Sequence, residues 1–142
     1  APVDLTLADL TEADLSGASL AGANLGGAEL RGARLQGGDL KKARFVGANL
    51  WGADLRGAQL QRADLRAADL TRALLREADL RGARLKGAAL VQADLQGANL
   101  TGLKFQDVDL YKATLQGADL RGADLSDATG ITRAQREAAR ME

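Results

Sequence analysis

The side chains that could carry out chemistry in this chain are mostly carboxylates set at a regular spacing. Aspartate often stands directly before a leucine, as at Asp54 and Asp64, and the chain contains neither histidine nor cysteine. Ser16, Ser19 and Ser126 therefore have no histidine base to activate them, and the usual nucleophilic arrangements cannot form. The aspartates are typical of a repeating lattice rather than of an acid–base pair. We expect no catalytic residue, and the chain is predicted not to be an enzyme.

Metal, cofactor and ice-binding chemistry are disfavoured by the same inventory. The glycine-rich nonapeptide that binds calcium in β-rolls is absent. The lack of cysteine excludes disulfides and thiolate ligands, whichever compartment the protein occupies. An ice-binding face would need a stacked ladder of threonines, and the following threonines do not stack: Thr6, Thr11, Thr71, Thr101 and Thr114. We predict no cofactor and no bound metal.

The chain is built from one five-residue repeat. Leucine stands at every fifth residue from Leu5 to Leu125, replaced only by Phe45 and Phe105. A fixed short period indicates an array in which each unit buries its apolar face by stacking on the next. Alanine stands two positions before the leucine in most repeats. Four repeats have another residue at that position: Val3, Gly38, Leu103 and Val108. Leu103, Val108 and the two phenylalanines are predicted core residues, with a locally widened coil near Phe105.

A five-residue period fits neither a straight helix nor a long strand. On a helix, each step would rotate the leucines by roughly 140°, and in a strand they would alternate between faces. A chain that turns a corner in every repeat keeps all leucines inside. Fourteen of the seventeen glycines stand two residues after a leucine position. Glycine at this place suits the positive φ of a type II turn. Four successive corners have another residue in place of that glycine. They are expected to be type I or irregular turns that need no positive φ: Arg62, Ala67, Arg72 and Glu77.

Charges on the residue before each leucine indicate how many corners close one coil. At an offset of 20 residues five pairs have opposite charge and two have like charge, namely Asp9 with Glu29 and Arg84 with Lys104. An offset of 15 stacks seven like pairs against three opposite ones. Like charges on neighbouring strands are unfavourable, so four repeats per turn are preferred. About six coils follow, forming an all-β solenoid.

The repeat ends at Gly130, where a leucine would be due. Thr132 with Gln135 three residues later is typical of a capping box, which predicts a helix from about Arg133 to Met141. Its predicted apolar face comprises Ile131, Ala134, Ala138 and Met141. The chain is therefore divided into a β-helix over residues 1–130 and a helix over 131–142 that caps the last coil. A dimer contact through this helix is the alternative.

Charge segregates along the chain although nineteen basic and nineteen acidic residues cancel. Residues 31–90 contain thirteen bases against six acids, and both flanking stretches are acidic. One hypothesis is a belt that docks an acidic protein partner; the alternative is a solvated surface whose charges pair between coils. The proposed belt comprises Lys41, Lys42, Arg44, Arg62 and Arg81. Trp51 and Tyr111 lie on one side of the coil, either as exposed interface anchors or as scattered surface aromatics.

Some repeats have closely related sequences: Ala-Asp-Leu-Arg-Gly at 53–57 and 118–122, Ala-Asn-Leu-Gly-Gly at 23–27, and the closing Thr-Gly-Ile-Thr-Arg-Ala-Gln at 129–135. On these residues the chain resembles the pentapeptide-repeat family. The resemblance implies a right-handed quadrilateral β-helix. It also implies two functions: a structural or protein-binding module of unknown partner, or a DNA mimic that binds a type II topoisomerase such as gyrase.

Surface charge favours the first of these functions. The four sides of the predicted coil carry net charges of 0, −2, −1 and +2, so none imitates a row of phosphates. The balanced net charge and the scarcity of aromatic side chains for base stacking also disfavour nucleic-acid binding. No apolar stretch is long enough to cross a membrane. We expect a soluble monomer, either cytoplasmic or, if a signal peptide was removed before Ala1, periplasmic or lumenal.

Overall fold

A ladder of single-residue parallel β-bridges organises the chain. The computed structural model describes residues 2–141. The residue before each leucine position forms a bridge, the two residues after it form a turn, and within the described residues no strand extends beyond one bridge residue. The bridges join residues 20 apart, from Asp4 with Asn24 to Asp109 with Thr129. Four corners therefore complete one turn of a quadrilateral β-helix, with the spacing that the charge register predicts.

The inside of the coil is filled by the repeating leucines and alanines. From Leu20 to Leu125 nearly all of them are buried, and no polar or charged residue of the described chain is buried. Each leucine removed from water contributes about 2 kcal/mol before conformational entropy is subtracted. Phe45, Phe105 and Val108 are 0% exposed and Leu103 is 2% exposed, so all four lie in this core.

Every corner from residue 7 to residue 122 has a positive φ at the second residue after the leucine position. The prediction that glycine-free corners avoid this conformation is wrong: φ is 60° at Arg62 and 58° at Ala67. The ladder imposes the conformation, because the Ala67 N–H donates to Lys86 O at 3.0 Å and the Ala68 N–H to Leu65 O at 3.1 Å. These bonds offset the roughly 1–2 kcal/mol that a left-handed residue costs.

The four corners of that prediction are among ten glycine-free corners, whose φ values lie between 56° and 60°. The ten corners are Leu7, Glu12, Lys42, Arg62, Ala67, Arg72, Glu77, Gln92, Asp107 and Lys112.

The C-terminal helix, α1, spans Arg133–Ala138. The predicted capping box is present, with the Thr132 side chain accepting from the Gln135 N–H and the Gln135 side chain accepting from the Thr132 N–H. The predicted end near Met141 is wrong, because Arg140 leaves the helix and rejoins the ladder by a β-bridge to Asp119.

The predicted apolar face of α1 is also wrong in part. Ala134 and Ala138 are exposed, whereas Ile131, Ala139 and Met141 pack against the core. The short helix presents its polar Gln135 to the coil, and Gln135 Nε2 donates to Leu110 O at 3.0 Å and to Ala113 O at 2.8 Å. The apolar contacts therefore come from the segments on either side of the helix.

Candidate functional site

Most of the repeating aspartates cap the corners of the coil. Asp64 is an example: its Oδ1 accepts from the Arg66 N–H at 3.3 Å, and the Arg66 guanidinium donates Nε to Oδ1 at 2.8 Å and Nη2 to Oδ2 at 2.7 Å. An aspartate that accepts a bond from the backbone two residues later forms an Asx turn. The Asp54, Asp79 and Asp119 carboxylates bind the arginine of their own corner in the same way.

The hydroxyls of Ser16 and Ser126 follow the same pattern, and most ion pairs also lie within a corner. Ser16 Oγ and Ser126 Oγ donate to Asp14 and Asp124, each at 2.6 Å. Of the ion pairs among the described residues, Arg76 with Asp94 joins neighbouring coils. Most close ion pairs therefore lie within one corner, whereas Arg34 with Asp14 and Lys104 with Asp124 attract each other between coils without an ion-pair contact. No group of acidic side chains within residues 2–141 could hold a metal ion.

One side of the coil carries a groove lined by cations, which we call the basic groove. It consists of two depressions, of about 450 Å³ and about 360 Å³, that share Gly82 and Arg84. The groove crosses three steps of the ladder, or roughly 14 Å at about 4.8 Å per step. Its unpaired cations are Lys42, Arg44, Arg62, Arg84, Lys86 and Lys104.

These six cations make no ion pair with any residue between positions 2 and 141. The acid in the groove, Asp64, is bound by Arg66. The side-chain hydrogen bond from Arg66 is the main reason that the pKa of the Asp64 carboxyl lies below its ordinary value. Partial burial raises this pKa, and the positive charge of Arg84 lowers it further. The groove is therefore a concave surface with an excess of positive charge, although Asp64 and the neighbouring Asp124 attract Arg84 and Lys104 respectively.

The structure brings together only part of the predicted belt. Lys42, Arg44 and Arg62 line the basic groove. Lys41 instead donates Nζ to Gln59 Oε1 at 2.9 Å, and Arg81 is held by the Asp79 carboxylate of its own corner.

Trp51 and Tyr111 lie on a different side of the coil from the basic groove. The guanidiniums of Arg31 and Arg72 lie 4.7 Å and 5.6 Å from the centre of the Trp51 ring. Such contacts are cation–π interactions and hold the partly buried ring in place. Tyr111 is 53% exposed, and Lys112 Nζ lies 5.4 Å from its ring centre. The two aromatics are thus separate from the candidate groove.

The ladder opens at the floor of the basic groove, between residues 82–85 and 101–104. We call this opening the seam. The bridge expected between Arg84 and Lys104 is missing, although Asp64 with Arg84 and Lys104 with Asp124 both form. Within the described residues the N–H groups of Leu85 and Lys104 have no acceptor, whereas the Leu65 N–H, one coil earlier, donates to Arg84 O at 2.8 Å.

Two features of the sequence account for the seam. Leu103 replaces the usual alanine and stacks on Ala83, which is 8% exposed, whereas Ala63 is 0% exposed. Extra bulk at a small core position forces neighbouring backbone apart. Arg84 and Lys104 also place two positive charges over each other, which is unfavourable for adjacent strands.

The belt predicted from the sequence lacked three cations of the basic groove, namely Arg84, Lys86 and Lys104. The available indication was the like-charged pair of Arg84 and Lys104 in the 20-residue register, next to the bulky Leu103.

The chain belongs to the pentapeptide repeat family, as the resemblance predicts. The family model for pentapeptide repeats matches eight copies, over residues 8–47, 39–72, 58–97 and 90–127. No curated protein matches the chain significantly. No helix within residues 2–141 is long and apolar enough to cross a membrane.

Several solved structures are similar to this chain. The pentapeptide repeat protein Rfr23 from the cyanobacterium Cyanothece 51142 is 39% identical with a TM-score of 0.56, and the match covers 58% of either chain. This chain thus spans little more than half of that protein. A pentapeptide repeat protein from the Arabidopsis thaliana thylakoid lumen is 30% identical with a TM-score of 0.56, over 72% of this chain and 74% of that chain.

A third similar structure is QnrB1, a plasmid-mediated fluoroquinolone resistance protein. It is 21% identical with a TM-score of 0.51, over 91% of this chain and 82% of that chain. At this identity the likeness extends to the fold alone. The fold shared by these proteins is the right-handed quadrilateral β-helix, so that prediction is confirmed.

Proposed function

We propose that this chain is a non-catalytic protein-binding module that presents the basic groove to an acidic surface of a partner protein. The observation that carries the proposal is the concentration of six unpaired cations on one side of the coil. Some arginines elsewhere, among them Arg56 and Arg121, are neutralised by the aspartate of their own corner. Uncompensated charge of one sign in a concave surface attracts and orients a partner of opposite charge.

A rigid scaffold supports this role. The leucine core and the ladder hold the groove's backbone in place except at the seam. About six coils form the module, and α1 caps the last one by binding Leu110 O and Ala113 O through Gln135. Because Ile131 and Met141 pack against this chain's own core, the module acts as a monomer in this proposal.

The corner caps weigh against the alternative of a DNA mimic. A mimic needs rows of exposed negative charge in place of phosphates. The carboxylates of Asp54, Asp79 and Asp119 each bind an arginine, which cancels their charge locally. A gyrase supercoiling assay tests this alternative directly: inhibition at micromolar protein would favour it over the basic groove.

Capture from an extract of the source cells tests the proposal with matched variants. The groove variant K42Q/R44Q/R62Q removes three unpaired cations, and the control R56Q/R76Q/R121Q removes three paired ones. We expect a set of acidic proteins to be captured by wild type and control but lost by the groove variant, with the loss reproduced by raising the salt concentration. Identical capture by all three proteins would contradict the proposal.

A further inference from the structure

The seam adds an apolar floor to the basic groove. Ala83, Leu85 and Leu103 line the depression of about 360 Å³, and Gly82 and Gly102 leave it open because they have no side chains. In neighbouring coils the closed ladder covers the equivalent residues, as the 0% exposure of Ala63 shows. The depression is therefore an apolar pocket at one end of an otherwise polar groove.

The rim of this pocket is cationic and its walls offer backbone donors. Arg84, Lys86 and Lys104 surround the opening without an ion-pair partner in residues 2–141. The ladder register directs the Leu85 N–H and the Lys104 N–H into the gap between the two coils, because their equivalents in other coils donate across it. The same gap leaves the Lys104 and Ala83 carbonyls without a backbone donor among the described residues. Apolar area, positive charge and unpaired backbone groups therefore meet in a single place.

We infer that the seam is a specificity pocket that takes an apolar side chain flanked by carboxylates in an extended segment of the partner protein. The inference rests on the proposed function and narrows it, because charge alone would accept any acidic segment. The apolar side chain lies in the depression over Ala83 and Leu103, which are 8% and 2% exposed, and the neighbouring carboxylates contact Arg84, Lys86 and Lys104. An extended chain advances about 3.3 Å per residue, so four or five residues cover the groove.

Single-stranded nucleic acid fits this groove less well than a peptide. Base recognition without sequence preference depends on aromatic side chains that stack with the bases. The aromatic surface residues of this chain, Trp51 and Tyr111, lie on another side of the coil, and the groove contains none. The chemistry of the pocket therefore favours an acidic peptide.

Fluorescence anisotropy with two labelled peptides tests the inference. The first is a pentapeptide with leucine between two pairs of aspartates; the second has serine in place of that leucine. We expect wild-type protein to bind the leucine peptide about fivefold more tightly, because part of the leucine surface leaves water. The variant R84Q/K104Q should weaken both peptides, whereas K42Q/R44Q/R62Q should weaken both without changing their ratio.

The variant Leu103→Ala restores the repeat and should close the seam. We expect it to bind the two peptides equally while keeping the charge-dependent part of the affinity. Circular dichroism establishes whether the variant is folded. As an independent measurement on wild type, the leucine peptide should slow hydrogen exchange of the Leu85 and Lys104 amides, and the serine peptide should not.

Each contrary result has a separate meaning. Equal affinity of wild type for both peptides would overturn the specificity pocket but leave the proposed function standing. Peptide affinities that are unchanged by every groove substitution would overturn the proposed function as well. Tighter binding of a single-stranded oligothymidylate of equal charge would overturn the choice of a peptide as the ligand.

Discussion

The guanidinium of Arg121 lies against the carboxylate of Asp119 at one corner of the coil, with Nη2 2.6 Å from Oδ2. The Arg121 backbone N–H also donates to Asp119 Oδ1, at 3.2 Å. The Arg121 side-chain hydrogen bond is the main reason that the pKa of Asp119 falls to about 2. At Asp124 the hydroxyl of Ser126 has the same role and lowers the pKa of that carboxyl.

The stability of the coil should decline in acid because of these caps. Their pKa values are lower in the folded chain than the ordinary value of about 3.9, so the caps stabilise the fold fully above that pH. Their contribution is lost as pH falls from about 4 towards about 2. Urea unfolding at a series of pH values checks this expectation. An unfolding midpoint that is constant across that range would contradict it, and the variant Asp119→Asn should show a weaker pH dependence than wild type.

Substitutions at Asp69 separate the hydrogen bond of a corner cap from its charge. Asp69 Oδ1 accepts from the Thr71 N–H at 3.0 Å. Asp69→Ala removes the acceptor and should lower the free energy of unfolding by about 0.5–1.5 kcal/mol. Asp69→Asn keeps an acceptor, as Asn49 does one coil earlier, and should be close to neutral. Chemical denaturation measures both variants. Equal losses in the two would show that charge rather than the hydrogen bond stabilises the corner.

The positive φ of the corners predicts opposite effects for two reciprocal substitutions. Ala67→Gly removes a side chain from a left-handed position at φ 58° and should raise the free energy of unfolding by about 0.5–1 kcal/mol. Gly57→Ala introduces such a side chain at φ 65° and should lower it by about 1 kcal/mol. A Cβ at Gly57 would meet no atom within 4 Å, so steric contact does not contribute. Thermal and urea unfolding measure both changes, and the same sign for both would refute the explanation.

The attachment of α1 depends on Gln135, which bonds the Thr132 N–H and the carbonyls of Leu110 and Ala113. Gln135→Ala leaves these groups without their partner and should lower the free energy of unfolding by about 1–3 kcal/mol. Hydrogen exchange should then accelerate in α1 and in the last coil. Arg136→Ala, at an exposed neighbouring position, is the control and should leave both quantities nearly unchanged. Unaltered exchange in Gln135→Ala would mean that the apolar contacts of Ile131 and Met141 hold the segment.

Much of the fold follows from local patterns that repeat. The bridges from Asp4 with Asn24 onward have the spacing that opposite charges predict at an offset of 20. The capping box of Thr132 and Gln135 was also recognisable, because it depends on residues three positions apart. The extent of α1 was not, since Arg140 rejoins a strand that lies 21 residues earlier in the chain.

The candidate site was only half predictable. Lys42, Arg44 and Arg62 were found as part of a basic stretch, but their separation from Lys41 and Arg81 depends on which side chains meet an aspartate at their own corner. A charge count along the chain does not distinguish paired cations from unpaired ones. Arg84, Lys86 and Lys104 complete the groove because stacking brings distant repeats onto one side.

By itself, the sequence determined the inward and outward positions of each repeat and hence the coil, because a five-residue period with a small and a large apolar residue can bury both only by turning corners. The tertiary structure decided what happens where a repeat departs from the pattern. At Arg62 and Ala67 the ladder imposes a positive φ, because its hydrogen bonds outweigh the local preference of the residue. At Leu103 the excess bulk parts the coils instead, since the closely packed core leaves no room for it.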